Sequence, residues 1–382
     1  MTVPSTFRST FNKASMSIIS LSMQSLNIPF KQAFTHASAV RAKTESALIK
    51  VSNQHGVEGV GEGCPRHYVT GESIESITKF VDAHRSQWML FTDVDDLKRW
   101  MAANEDLINR NPAGWCAVEL AFLDLFGKEA NVSIEALVGV TPLSGRFQYS
   151  AVLGTDSLTF FEKQLKQYLA VGFTDFKVKV TGRLQEDIDK FARLDSAGAA
   201  QLRVRLDANN LWADGDVVIA YVKQLPGAMT AIEEPLKVGD YAGCRLVSQA
   251  LGIPIILDES FLQMEQFQTI CDTPSTWVIN IRVSKMGGIL RSLGIAKKAK
   301  ELGIPIVVGA QVGETSVLTR AALTVANTYR DILIAQEGAL GTHLLEHDIC
   351  TPVLMFGKAG LLDPIIISGR TGLGLVDSRV IS

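Results

Sequence analysis

Cysteine is scarce in this chain and never paired in sequence. Five of 382 residues are cysteine (Cys64, Cys116, Cys244, Cys271 and Cys350), and no two form a CxxC clip. An odd, scattered set argues against a disulfide framework and against a thiolate zinc cage, and it fits a reducing, cytoplasmic setting. Neither sign of charge dominates: 37 basic against 40 acidic residues leave a net charge of −3. That balance removes the electrostatic case for a nucleic-acid or anionic-membrane partner. No apolar run approaches the roughly 20 residues of a membrane span. Histidine is also sparse, six in all. His343 and His347 stand four apart, but no HExxH surrounds them, and structural roles are expected. Residues 1–15 are rich in Ser and Thr, with Arg8 and Lys13 but no apolar signal core, and are expected to be a disordered extension.

Two kinds of pattern fill the rest. Residues 16–140 read as an α+β domain. SIISLSMQS (17–25) and SALIKVSN (46–53) alternate as paired strands do, Gly56 to Gly63 reads as a glycine-rich turn, and Cys64 to Glu72 as an exposed loop. The pattern then becomes helical from about Ser73, and Ala113 to Gly127 is apolar nearly all round, as a buried helix is. From 141 to 343 strand and helix alternate. Strands are expected at 147–154, 175–180, 203–207, 230–234, 253–259, 277–282, 304–310 and 331–336. Eight such strands suit a closed parallel barrel. A doubly wound open sheet is the rival, weakened because no glycine-rich phosphate turn follows the first strand. Residues 344–382 are expected to fold back on the first domain.

Asp207, Glu233 and Asp258 recur at intervals of 26 and 25 residues, each closing an apolar strand-like run, and Lys179 stands 28 residues before the first. One strand, one helix and two short loops take about 25–30 residues. The interval therefore puts one functional side chain at the same end of each successive strand, which in a barrel is the C-terminal mouth. Converging carboxylates repel one another unless a cation lies among them, and an oxygen-only set suits Mg²⁺ rather than zinc. Alone, the Lys177-Val178-Lys179 run fits a solvated strand face, Glu233-Glu234-Pro235 a polar strand end, and Asp258-Glu259-Ser260 a helix start. Their common register favours one site.

Together with Asp207-Ala208-Asn209 and Asn280-Ile281-Arg282, these residues resemble the enolase superfamily, specifically its mandelate racemase/muconate-lactonizing-enzyme subgroup. The resemblance extends to Ala117–Ala121 and Asp124–Lys128 and so covers nearly the whole chain. It implies a modified (β/α)7β TIM-type barrel under an α+β capping domain, in a homo-oligomer acting on a small-molecule carboxylate. The implied chemistry is removal of a proton α to that carboxylate to leave an enediolate. Mg²⁺ on Asp207, Glu233 and Asp258 would offset the new charge, more in the enediolate than in the ground state. Asn209, Glu234 and Asn280 would orient those acids. Lys179 is the expected base, and a like charge from Lys177 on the same strand face promotes loss of its proton.

The sixth strand departs from the resemblance. Relatives that racemize carry a second lysine where this chain has Arg282, which is a poor proton shuttle but a strong permanent cation. The expectation is one-base chemistry, as in a muconate-cycloisomerase-like isomerase or an acid dehydratase. A two-base racemase or epimerase would need Lys285, which otherwise reads as a solvated loop lysine. Arg66, Tyr68, Gln311, Glu314 and Glu337 are candidate substrate contacts on the cap loop and the last strand ends, or ordinary loop polarity. Two further readings stay open: a non-catalytic carboxylate-binding homologue and a metal-free glycoside hydrolase, the latter giving no role to a paired lysine.

Overall fold

The computed structural model describes residues 16–36, 39–154, 157–198 and 202–377. The expected extension at 1–15 lies outside the described residues. Strand β1 (Ile18–Leu26) pairs antiparallel with β4 (Ser46–Asn53), Leu21 facing Val51. Between them in sequence comes a hairpin of β2 (Pro29–His36) and β3 (Ala39–Lys43). On β1 Ile18, Leu21 and Leu26 are buried without strict alternation: the register shifts between Ile18 and Ser20, and Leu26 packs in a different part of the core from the other two.

The glycine-rich stretch is a strand, not a turn. β5 (Glu58–Gly63) pairs antiparallel with β4 and lies against the Pro112–Glu129 helix. A Cβ on Gly59, Gly61 or Gly63 would stand 2.1, 2.0 or 1.9 Å from the carbonyl oxygen of Ala121, Ala117 or Ala113. Two strand residues advance about 6.6 Å and four helical ones about 6 Å, so the glycine and alanine rows stay in step. The helix they press on is buried all round, Glu119 and Asp124 included.

Eight parallel strands follow in sequential order. They are β6 (Ala151–Leu153), β7 (Asp175–Lys179), β8 (Arg203–Asp207), β9 (Ala231–Glu233), β10 (Ile255–Leu257), β11 (Trp277–Ile281), β12 (Ile306–Val308) and β13 (Leu333–Gln336). A hydrogen bond of 2.8 Å from Ser150 N to Gln336 O links the two outer strands. Ala231, Ile256, Val278, Val307 and Ala335 cluster inside the sheet, while their neighbours Ile232, Ile255, Leu257, Ile279 and Ile306 join the core shared with the surrounding helices. The strand expected at 147–154 divides: Phe147–Gln148 instead pairs with Leu361–Leu362 of the last segment. That segment also bridges Gly372 to Ser133, and so reaches the first domain.

Candidate active site

Period two on each barrel strand decides which residues meet. Positions 177 and 179, 205 and 207, 233, 258, 280, 282 and 337 all share parity with the inward apolar layer on their strands. Register sets Lys179 beside Asp207 and Asp207 beside Glu233, while Glu233 pairs with Ile256, leaving Asp258 one inward position higher. Asp207, Glu233 and Asp258 are each 1% exposed. Such burial of charge is tolerable only with close partners of opposite sign.

The partners are four cations. Lys177 Nζ lies 2.8 Å from Glu233 Oε1, 3.1 Å from Glu337 Oε2 and 3.2 Å from Asp207 Oδ2. Lys179 Nζ donates to Asn209 Oδ1 at 2.7 Å and lies 3.2 Å from Asp207 Oδ2. Arg282 donates to Asp258 through Nη2 and to Gln311 Oε1 at 2.8 Å through Nη1. Lys285 donates to Asp258 Oδ1 at 2.9 Å and to the carbonyls of Asp258 and Asn280 at 2.6 and 2.9 Å.

These contacts sort the carboxylates. Burial would raise Asp207, but the ammonium groups of Lys177 and Lys179 outweigh it and hold Asp207 below the ordinary range. Asp258 is likewise raised by burial and, on balance, lowered by Arg282 and Lys285. Glu233 is pushed up to about 8 by burial, with Asp207, Glu337 and Asp258 adding to the effect against Lys177. Burial disfavours the charge of Arg282, yet Asp258, Glu259, Glu233 and Glu337 raise its pKa further, so it stays a cation.

Asparagines and a further glutamate brace the ring. Glu234, at φ 40°, accepts from Asp258 N at 2.6 Å, Ser260 N at 2.7 Å and Ser260 Oγ at 2.7 Å, which fixes the turn carrying Asp258. Asn280 Nδ2 reaches Glu233 Oε1 at 3.3 Å, while its Oδ1 is buried without a partner. A side chain on Gly309 would come within 2.3 Å of that oxygen, which is why the seventh strand ends in glycine.

A cavity of about 730 Å³ opens beside the ring, bordered by Lys177, Lys179, Asp207, Arg282, Gln311 and Glu337. Tyr68 of the cap also lines it. Several expectations need correction. Lys285 is no solvated loop lysine: it sits on a short helix, Val283–Met286, is 0% exposed and does not line the cavity. Arg66 is 1% exposed and is spent on main-chain carbonyls, Pro65 O at 2.6 Å and Val312 O among them, so it ties the cap to the barrel. Cys64, Pro65 and Arg66 are therefore buried rather than looped into solvent, whereas His67 and Tyr68, which open the short helix His67–Thr70, and Gly71 are exposed. Glu314 turns back to accept from Gln311 N at 2.7 Å and is absent from the cavity wall. His343 stacks on Phe356 with ring centroids 4.7 Å apart, and it also lines the cavity.

Sequence reasoning missed Arg205 and Glu259. Arg205 is 1% exposed and bonds Glu337 Oε1 at 2.7 Å, Ser150 Oγ at 2.5 Å and Asp175 Oδ1 at 3.0 Å. Its signal was present, since it lies two residues before Asp207 and shares its face. Glu259, pushed to about 8 by burial and by Asp258, had none.

The donor set fits a divalent cation in type and number: three buried carboxylates on consecutive strands, crowded enough to drive one of them upward. Among the described residues no three Asp, Glu, His or Cys groups close on a single point. Lys177, Arg282 and Lys285 take up the carboxylate oxygens, so these side chains must turn for a metal to enter.

Residues 16–139 match the family described as mandelate racemase / muconate lactonizing enzyme, N-terminal domain, and residues 161–376 match the family described as enolase C-terminal domain-like. The chain is 25% identical over 317 residues to a hydrophobic dipeptide epimerase of Enterococcus faecalis, covering 83% of this chain and 89% of that protein. The crystal structure of an N-succinyl Arg/Lys racemase from Bacillus cereus superposes with a TM-score of 0.84 at 20% identity, over 96% of each chain. That of the E. faecalis dipeptide epimerase, complexed with Mg and the dipeptide L-Leu-L-Tyr, gives 0.83 at 23% identity, over 94% of this chain and 99% of that one. At such identities the structural likeness speaks to the fold.

Proposed function

The chain belongs to the enolase superfamily, in its mandelate racemase/muconate lactonizing enzyme subgroup, and from that premise we propose that it is a Mg²⁺-dependent isomerase that moves the α-proton of an amino-acid-derived carboxylate. The observation that carries this reading is Lys179 set on the cavity wall beside buried Asp207, with Glu233 and Asp258 on the next strands. Relatives named as epimerases and racemases favour isomerization at the α-carbon over the cycloisomerase or dehydratase activity expected from Arg282.

Asp207, Glu233 and Asp258 would hold the cation, which supplies positive charge where the substrate carboxylate gains a second negative one. Lys179 takes the α-proton on Nζ, with Asn209 Oδ1 holding that nitrogen toward the cavity. Lys177 remains an ammonium, because Asp207, Glu233 and Glu337 outweigh the burial that disfavours its charge. It is therefore a fixed charge rather than a second base. Arg282 faces the cavity, held by Asp258 and Gln311, and can pair with a carboxylate.

One observation favours a second reading. A group that returns the proton from the opposite face must also remove it in the reverse direction, and Arg282 is held in its charged form. Lys285 is off the cavity with its three protons engaged. One-base elimination or cycloisomerization follows if Arg282 cannot exchange protons. The experiment is incubation of dipeptides and N-acyl amino acids with enzyme and Mg²⁺ in D₂O, followed by mass spectrometry and chiral chromatography. Deuterium at an inverted centre supports the isomerase. Loss of water or a cyclized product transfers the assignment to the one-base reading, and the absence of any product or exchange across a broad library rejects both.

A further inference from the structure

Beneath the ring of charges the barrel is itself charged. A parallel barrel is ordinarily filled by layers of branched apolar side chains. Here Asp175, Lys177 and Lys179 occupy alternate positions of β7, and register sets Lys177 beside Arg205 and Lys179 beside Asp207. All five side chains are buried. Neighbouring strands lie about 4.8 Å apart, so Lys177 and Arg205 bring two cations close together, which is costly unless an anion lies between them.

Glu337 is that anion. Its Oε1 accepts from Arg205 Nη1 at 2.7 Å and its Oε2 from Lys177 Nζ at 3.1 Å. Burial raises the Glu337 carboxyl, but Lys177 and Arg205 outweigh it and hold it below the ordinary range. Arg205 is anchored in turn by Asp175 Oδ1 at 3.0 Å, one inward position lower on β7, and by Ser150 Oγ at 2.5 Å. Lys177 and Glu337 line the cavity and Arg205 does not. Buried ion pairs add little net stability over well-packed apolar side chains, so stability alone does not account for a column of them under Lys179.

Among the described residues the carboxylates on Lys177 are Glu233, Asp207 and Glu337. The cation proposed above claims oxygens of the first two, and Glu337 is the partner left to Lys177. Resting on the function proposed above, we propose that Arg205 is a positioning residue. Through Glu337 it keeps the Lys177 ammonium in place beside Lys179 when the cation is bound, without touching substrate or cation itself.

The test follows the Lys177 ammonium protons by ¹⁵N–¹H NMR of the Mg²⁺-loaded protein, the signal being assigned by its loss in Lys177→Arg. In Arg205→Lys a single ammonium cannot span Glu337 and Asp175, and hydrogen exchange at Lys177 should quicken at least about tenfold. Glu337→Gln, which keeps the carbon frame and removes one of the two contacts, should do the same, and the double variant should add nothing beyond either. Asp175→Asn still offers Arg205 an oxygen and should leave Lys177 exchange within about twofold. Mg²⁺ affinity of Arg205→Lys by calorimetry should stay within about threefold of the parent, because the cation's ligands are untouched. On a compound that the parent turns over in D₂O, its kcat should fall about tenfold with KM within about twofold. Unchanged Lys177 exchange in Arg205→Lys or Glu337→Gln, an equal quickening in Asp175→Asn, or a loss of about tenfold or more in Mg²⁺ affinity overturns the inference. Lys177 exchange that depends on Arg205, in a protein that exchanges no α-proton, keeps the positioning role and defeats the proposed function instead.

Discussion

At the residue scale, the site depends on which nitrogen can give up a proton. Of the two lysines beside Asp207 on the cavity wall, replacing Lys179 with alanine removes the one not engaged by three carboxylates. We expect α-proton exchange to fall by about 10²–10⁴-fold with the fold retained, as far-ultraviolet circular dichroism and melting temperature will show. Arg282→Lys tests the opposite wall. A lysine there can shuttle protons where a guanidinium held by Asp258 cannot, so inverted, deuterated product should rise severalfold by chiral chromatography. An unchanged or lower inversion rate would show that Arg282 is not the limiting group. The acids and Lys179 were legible because module spacing alone puts them at one mouth. Lys285 was not, because its burial comes from Asp258 and Asn280 carbonyls that no local pattern reveals. Arg66 misled for a similar reason: its partners are main-chain oxygens far away in sequence.

Elements show where composition deceives. Glycine at every second position of β5 reads as a turn by propensity, since glycine is a poor strand former. The structure explains it by the neighbour, a helix whose Ala113, Ala117 and Ala121 carbonyls leave no room for a Cβ. Gly61 takes no positive φ, so its requirement is purely steric. Gly61→Ala is expected to destabilise the protein by about 3 kcal/mol or more, because backbone on both sides must move. Urea denaturation checks this, and a loss under about 1 kcal/mol would mean that helix and strand can separate cheaply. The barrel strands, by contrast, were legible as runs such as Ile-Pro-Ile-Ile-Leu-Asp, where a continuous apolar run and a terminal acid coincide. Only the first was misjudged, because Phe147–Gln148 finds its partner more than 200 residues later.

The whole molecule is held together across its two domains by buried carboxylates as well as apolar surface. Glu62 of the cap accepts from Thr315 N at 3.1 Å and Thr315 Oγ1 at 2.6 Å, at the start of the Ser316–Thr328 helix. Glu119 accepts from Leu290 N at 3.1 Å, at the start of the Ile289–Leu302 helix. Burial pushes Glu62 up to about 7 and Glu119 up to about 8, from an ordinary 4.5. The folded state thus binds these protons more tightly than the unfolded one. Their contribution is full below about pH 4.5 and is lost as pH rises through 7 and 8. Melting temperature should fall between pH 5 and pH 9, and Glu119→Gln should fall less over that interval than the parent. An equal fall in both would remove Glu119 from the account.

The central claim is that Lys179 removes an α-proton with a divalent cation held by Asp207, Glu233 and Asp258. Its most direct test is proton NMR of N-acyl-leucine in D₂O with the parent enzyme, with Lys179→Ala and with the parent in excess EDTA. The account predicts loss of the α-proton signal in the first sample and its persistence in the other two. Exchange that survives both the substitution and the chelator would contradict it.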